Sequence, residues 1–412
     1  MMRTSDFLRR YGFWIVFVVA AALYYRRFSG VPAGMELYPF AAACLLNGEI
    51  LQTCAPGFTY PPAFAFIMIP FAPLNMGMRN VLWYLITIGA TILSYRFCEI
   101  LARRLMRGDM DETELFWLRF FSLSLSLKFI LAVFENQAYD TLTFLFIMIG
   151  LLALARGRAI VGGGGLAVAA ALKATALIFL PYLLFRRRFA AAAVFGIALV
   201  TVSLLPDLFF TPRGASEGYL QAWLYEVAGP SLLNNPGAAK HVFWMGPNLL
   251  NHSLRGAVSL NVDNPAALVQ ILRAVDAGFI AVVGFLLFMA PRKDEFVAVD
   301  GSLLVMSMLM LSPMTSQSHY VALLLPYTVL VAVGLRDRTT QALGINVLVA
   351  SFILATATSN DAVGKAISKW AYAHSFLVLG VLILLVYFAP IILKPNVLRS
   401  RPDVAKVTVA GV

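Results

Sequence analysis

Long apolar runs, broken by short clusters of arginine and lysine, recur from one end of this 412-residue chain to the other. A run of this kind ends in a protein core or in lipid, and about 20 consecutive apolar residues are needed for a helix to cross a bilayer. Apolar residues make up 60% of the chain and charged residues only 13%, against about 25% charged in an ordinary soluble domain. So little polar surface cannot cover so much apolar surface, and lipid must be part of the solvent. In lipid the backbone has to satisfy its own hydrogen bonds, which for runs of this length means helix. The sequence predicts an all-α integral membrane protein, a single polytopic domain over residues 1–412.

The basic clusters set the topology. They are Arg103, Arg104 and Arg107; Arg156 and Arg158; Arg186 to Arg188; Arg292 and Lys293; Arg336 and Arg338; and Lys394, Arg399 and Arg401. Short cytoplasmic loops carry an excess of such residues. Crossings at 11–27, 80–102, 115–134, 138–155, 189–206, 266–290, 297–312, 319–335, 341–358 and 372–393 put every cluster on the cytoplasmic side, together with both termini. That is about ten full transmembrane helices in the inner (plasma) membrane. The net charge of +11 is then a topology signal. No basic stripe interleaved with aromatics is present, so nucleic acid is excluded as a partner.

Two apolar stretches do not fit a single crossing. Residues 61–74 are short and broken by Pro70 and Pro73, which predicts a re-entrant or interfacial piece; Tyr60-Pro61-Pro62 reads as its helix start. Residues 160–185 have arginines on both flanks, Gly162 to Gly165 at one end and Lys173 in the middle. Two half-helices that dip in and return fit that pattern, with the glycines serving close helix packing. Two long loops, 28–60 and 207–265, fall on the extracytoplasmic side and are expected to form the active site. The second carries Trp223, His241 and Trp244.

Cys44, Cys54 and Cys98 make no disulfide framework. Cys44 and Cys54 can pair if their loop lies outside the cytoplasm, but so sparse a usage favours free thiols. The four histidines, His241, His252, His319 and His374, show no HxxxH pairing, and the one DxD pattern, Asp109-Met110-Asp111, falls in a cytoplasmic loop. Neither a metal nor a cofactor is expected.

Polar residues at membrane depth are costly and tend to mark sites. Glu36, Glu135-Asn136-Gln137 with Asp140, Lys173, Asn251-His252-Ser253 with Arg255, Gln317 to Tyr320, and Lys128 stand out. A carboxylate beside cationic and donor groups suits the removal of a proton from an acceptor hydroxyl while Arg, Lys and His stabilise a departing phosphate. Outside the cytoplasm nucleotide sugars are not at hand, so a lipid-linked phosphosugar is the natural donor.

Several segments carry a resemblance, in chain order: Gly34-Met35-Glu36-Leu37-Tyr38 with Ala41 and Gly48; Phe58-Thr59-Tyr60-Pro61-Pro62; Glu135-Asn136-Gln137; Leu172-Lys173 with Leu180-Pro181 and the Arg186 to Arg188 run; Asn251-His252-Ser253-Leu254; and Ser312-Pro313 through His319-Tyr320. Together they resemble glycosyltransferase family 87, polyprenyl-phosphate-mannose-dependent α-mannosyltransferases of the membrane-embedded C-type superfamily. The resemblance implies a C-type fold and an inverting transfer of a sugar, typically mannose, from a polyprenyl phosphate to a glycolipid or glycan acceptor. It places Glu36 as the base, where the family usually has Asp, and His252 where Gln is common. Arg255, His319, Lys173, His252 and Asn251 become candidates for the donor phosphate. Glu135, Asn136, Gln137, Tyr60, Gln317 and Tyr320 become candidates for acceptor binding or shaping of the site. A flippase for lipid-linked sugars and a polyprenyl-linked glycan ligase or polymerase are the alternatives. A transporter should show paired broken helices in two related halves, and only one broken segment is evident.

Overall fold

A computed structural model of the chain describes residues 34–393 apart from 108–109, 215 and 234–246, together with scattered positions between 11 and 25. The expected first crossing at 11–27, both termini, and His241 and Trp244 therefore lie outside the residues described contiguously. Among the described residues the chain is helical with no strand. Six helices there are long and apolar enough to cross a bilayer: Met76–Leu105, Glu112–Glu135, Phe189–Phe209, Pro265–Met289, Gln317–Arg336 and Phe376–Leu393. Three other expected crossings are shorter, at Asp140–Ala155, Val297–Met310, and Gln341–Ser351 continued by the π-helical turn Phe352–Thr356. For Val297–Met310 the setting explains the length. Every residue of Val297–Met310 is buried, and a helix sheathed in protein has no hydrocarbon thickness to match.

The expected break at Lys173 is present. Ala159–Leu172 ends at an extended Lys173 (φ −147°, ψ 106°), and a 3₁₀ turn, Ala174–Ile178, leads into Phe179–Phe185. Arg188 Nη1 donates to the Leu154 carbonyl at 2.9 Å, so the two flanks of the segment meet at one end of the molecule and the segment enters and returns. The glycines serve packing, as expected. A Cβ on Gly163 would lie 2.2 Å from the Ala191 carbonyl oxygen, so the broken segment rests directly on the backbone of Phe189–Phe209.

The arginine-rich loops gather at that end. Arg188 also pairs with Asp294 at 2.7 Å, Arg186 with Asp300 at 2.5 Å, and Arg336 with Glu114 at 2.8 Å, while Arg107 pairs with Glu295. Asp111 of the DxD pattern is the N-cap of Glu112–Glu135, closing a capping box with Glu114.

The opposite end is knitted by Gln137, held in the left-handed region (φ 49°) at the turn after Glu112–Glu135. Its amide donates to Asn80 Oδ1 at 2.9 Å and accepts from the Met35 N–H at 2.9 Å, and its carbonyl accepts from Trp83 Nε1 at 2.8 Å. The two long loops, 28–60 and 207–265, bond to each other there. Arg213 N–H donates to the Gly48 carbonyl at 2.7 Å, and Trp223 Nε1 donates to the Thr59 carbonyl at 2.9 Å. The first of these loops is largely helical, with Gly34–Leu46 followed by Leu51–Cys54.

The cysteines correct the sequence reading. Cys44 and Cys54 form a disulfide, and the buried Cys98 is free. A turn at Gly48 (φ +68°) reverses the chain after Gly34–Leu46 and lays Leu51–Cys54 back against it. The tertiary turn, not the number of cysteines, brings the two Cα atoms to 6.1 Å.

Candidate functional site

A cavity of about 1950 Å³ lies at the Gln137 end. One wall is a face of Glu112–Glu135, since Ser124, Leu127, Lys128, Leu131, Ala132 and Glu135 recur at helical spacing. At about 1.5 Å per residue this face runs ~16 Å from rim to floor. The start of Gly34–Leu46, the Met314–His319 segment, the π-helical turn Phe352–Thr356 and the helix Asn360–Ala373 complete the walls.

Of the expected site residues, Glu36, Tyr60, Glu135, Asn136, His252, Gln317 and His319 line this cavity. Residues from five distant stretches of the chain are thus brought together. Gln137, Lys173, Asn251, Arg255 and Tyr320 are not on its surface. Glu36 is exposed in the first turn of Gly34–Leu46, where a helix dipole favours negative charge. Glu135 is exposed at the other end of its own helix.

Asp140 opens the helix Asp140–Ala155 and forms a nearly buried ionic cluster behind the rim. Lys173 Nζ donates to its Oδ1 at 2.5 Å, and His319 Nε2 lies 3.6 Å from the same oxygen. The Ser316 N–H donates to His319 Nδ1 at 3.3 Å. With Nδ1 accepting, a neutral His319 carries its proton on Nε2, the nitrogen that lies 3.6 Å from Asp140. The Lys173 ammonium also sits 5.7 Å from the Tyr139 ring centre. Tyr139 packs edge-to-face on Tyr60 at 4.8 Å, and Tyr60 on Phe64 at 5.7 Å. Burial, with Asp140 adding to it, pushes the Tyr60 hydroxyl up to about 12, so it stays protonated and able to donate at the cavity wall.

On the facing wall, His252 is only 2% exposed and its Nε2 has no hydrogen-bond partner among the described residues. Its backbone is pinned on both sides: its N–H donates to the Thr315 carbonyl at 2.7 Å, and its carbonyl accepts from the Tyr320 hydroxyl at 2.6 Å. Asn251 is fully engaged beside it, donating to the Pro313 carbonyl at 2.9 Å and accepting from Thr315 N–H at 3.1 Å and Ser253 Oγ at 2.8 Å. Asn251 and Tyr320 thus position His252 from behind the wall. Burial, then the nearby Lys128 and His319, push the His252 imidazole down to about 3, so it is neutral. Gln317 Nε2 donates to the Tyr372 hydroxyl at 2.7 Å. Arg255 lies further off, on Leu254–Ser259, with Nη1 donating to the Ser231 carbonyl at 3.3 Å.

Sequence reasoning gave no role to Lys128, Asp140, Lys365 or Tyr372, which all line the cavity. Lys128 and Asp140 carried a signal, being ionisable residues within apolar runs. Lys365 and Tyr372 lie on Asn360–Ala373, a helix between two expected crossings that periodicity over longer apolar windows passes over.

The cysteine pair sits near Glu49, and Cys44, Glu49 and Cys54 are a grouping of metal-ligating types among the described residues. Both sulfurs are bonded to each other, so neither is available there as a thiolate ligand.

Compared with known proteins, residues 58–313 match the family model described as glycosyltransferase family 87. The matched stretch includes Tyr60, Glu135, Asp140, Lys173 and His252, begins after Glu36 and ends before His319. No curated protein and no solved structure matches the chain.

Proposed function

The chain belongs to glycosyltransferase family 87, and from that premise we propose that it transfers a sugar, mannose in the first instance, from a polyprenyl-phosphate donor to a glycolipid or glycan hydroxyl. The transfer is inverting. Glu36 takes the proton of the acceptor hydroxyl as its oxygen attacks the anomeric carbon from the face opposite the phosphate. The bond between that carbon and the phosphate oxygen breaks, and its electron pair leaves on the polyprenyl phosphate. The chain's own cations and donors around the cavity balance the developing charge.

The observation that carries this reading is the state of the cavity's carboxylates. Glu36 is exposed on the wall with no ion-pair partner among the described residues, whereas Asp140 is engaged by Lys173 at 2.5 Å. A base must be free to accept a proton, and Glu36 is. Size agrees: ligand pockets usually hold about 300–1,000 Å³, and about 1950 Å³ leaves room for donor and acceptor together. The Cys44–Cys54 disulfide supports an extracytoplasmic cavity in the plasma membrane, because disulfides persist in oxidising compartments. The inner arginine loops then face the cytoplasm, and the shorter helices complete about ten crossings in a C-type arrangement.

Glu36→Gln tests the reading. It preserves size and hydrogen bonding but not proton acceptance, so turnover of a polyprenyl-phosphate sugar should fall by roughly 10²–10⁴-fold with the fold intact. Near-normal turnover would sink the base assignment. Glu135, exposed on the same wall, is the second candidate; if Glu135→Gln alone abolishes transfer, the role passes to it.

A further inference from the structure

Lys173 and Arg186 have nearly buried side chains, and each faces a carboxylate. Lys128 does not. It is 8% exposed, and its ammonium meets only neutral groups: the Ala355 carbonyl at 2.8 Å, Thr358 Oγ1 at 3.5 Å and the Tyr372 ring at 5.2 Å. Among the described residues no acid pairs with it. An ammonium without a counter-charge at membrane depth is expensive unless an anion joins it. Beside it stands the His252 imidazole, packed 5.0 Å from the same Tyr372 ring, with Nε2 buried and without a partner among the described residues. Lys128, His252, Gln317 and Tyr372 all line the one cavity.

The position suits a ligand that arrives with a tail. Lys128 lies seven residues before Glu135 on the same helix face, ~10 Å below the rim. Leu127 is 48% exposed beside it and Phe352 36% across from it, so an apolar wall leads to the charge.

We propose that Lys128 and His252, with the Gln317 amide and Tyr372 hydroxyl around them, form a phosphate-binding subsite. Its occupant is the phosphate of the lipid-linked donor, an identity that rests on the function proposed above, although the charge of the site does not. This moves the phosphate contact from Arg255, which is off the cavity surface, to a point partway down the Glu112–Glu135 face.

The test uses the full chain in lipid nanodiscs and measures binding, not turnover, of a polyprenyl monophosphate, the matching polyprenol and inorganic phosphate. Lys128→Gln keeps a donor for the Ala355 carbonyl and removes the charge; Lys128→Arg restores the charge. The wild type should prefer polyprenyl phosphate over polyprenol by roughly 10–100-fold, the worth of a charge-assisted hydrogen bond. Lys128→Gln should erase that preference and Lys128→Arg retain it. A folded Lys128→Gln protein that keeps the preference overturns the subsite and leaves the donor reading standing. Inorganic phosphate bound in a Lys128-dependent way, with no preference for polyprenyl phosphate over the alcohol, supports a phosphate site but overturns its lipid-linked source. No binding of either phosphate by the wild type overturns the subsite. If Lys128→Gln does not fold, His252→Gln, which leaves the Lys128 contacts in place, should narrow the preference several-fold, and an unchanged preference overturns the subsite.

Discussion

Lys173→Met should destabilise the protein more than any loss of contact area would suggest, because it strands the Asp140 carboxylate. The pair is nearly out of water, with side chains 11% and 6% exposed and Nζ 2.5 Å from Oδ1. Taking ~4 Å between charge centres and an effective dielectric near 20, the attraction is about 4 kcal/mol. Removing one partner of a buried pair typically costs about 3–5 kcal/mol, since the other charge stays buried without compensation. His319, 3.6 Å from the same oxygen, softens this only in part. For a protein of this size the loss corresponds to a fall in melting midpoint on the order of 5 °C. The assay is a thermal melt of detergent-solubilised protein for Lys173→Met, Asp140→Asn and the double variant. Each single variant should melt well below wild type, and the double variant should recover most of the loss, a coupling of about 3 kcal/mol. Single variants within 1 °C or so of wild type, or a double variant as low as the sum of the two, would refute a pair of this kind.

Acid should destabilise the protein in part through His252. Its folded pKa lies near 3 against an ordinary 6.5, so the unfolded chain takes up the proton first. Its contribution is intact above about 6.5 and is lost as pH falls toward 3, roughly 2 kcal/mol by pH 5; melts of wild type and His252→Gln should converge over that window, and parallel curves would count against it. Closing the short loop between Cys44 and Cys54 should stabilise by about 3 kcal/mol, so Cys44→Ser with Cys54→Ser should melt lower. A maleimide should label neither residue until a reductant is added, and labelling of Cys44 or Cys54 in the untreated protein would rule out the bond. Gly163→Ala forces a methyl to within 2.2 Å of the Ala191 carbonyl, with an expected cost of about 1–3 kcal/mol. Gly164→Ala, which meets nothing within 4 Å, is the control, and equal melts for the two would undo the packing argument.

Much of the molecule is readable from the chain because hydrophobicity is written along it. The six long apolar helices, the break at Lys173 and the turn at Glu135 to Gln137 follow from run length, glycine and proline placement and the arginine clusters. Shorter elements are less legible. Val297–Met310 is short because protein surrounds it, though its apolar run at 297–312 is plain, whereas Asn360–Ala373 is amphipathic and carries no such run. The site was legible as a set of suspicious polar residues, but not as an arrangement. Arg255 and Lys128 look alike in sequence, both cations beside apolar residues; only the cavity separates them.

The sequence by itself determined the solvent, the helical class, the family and the residues eligible for chemistry, since each depends on local composition, spacing or motif. Tertiary structure decided how those residues divide the work. Asp140 meets a lysine 33 positions away, Lys128 meets a carbonyl 227 positions away, and two cysteines meet across a turn. Whether a carboxylate is engaged, as Asp140 is, or without an ion-pair partner among the described residues, as Glu36 is, depends on which distant side chain comes within about 4 Å of it. Charges interact through space, and no pattern along the chain specifies that distance.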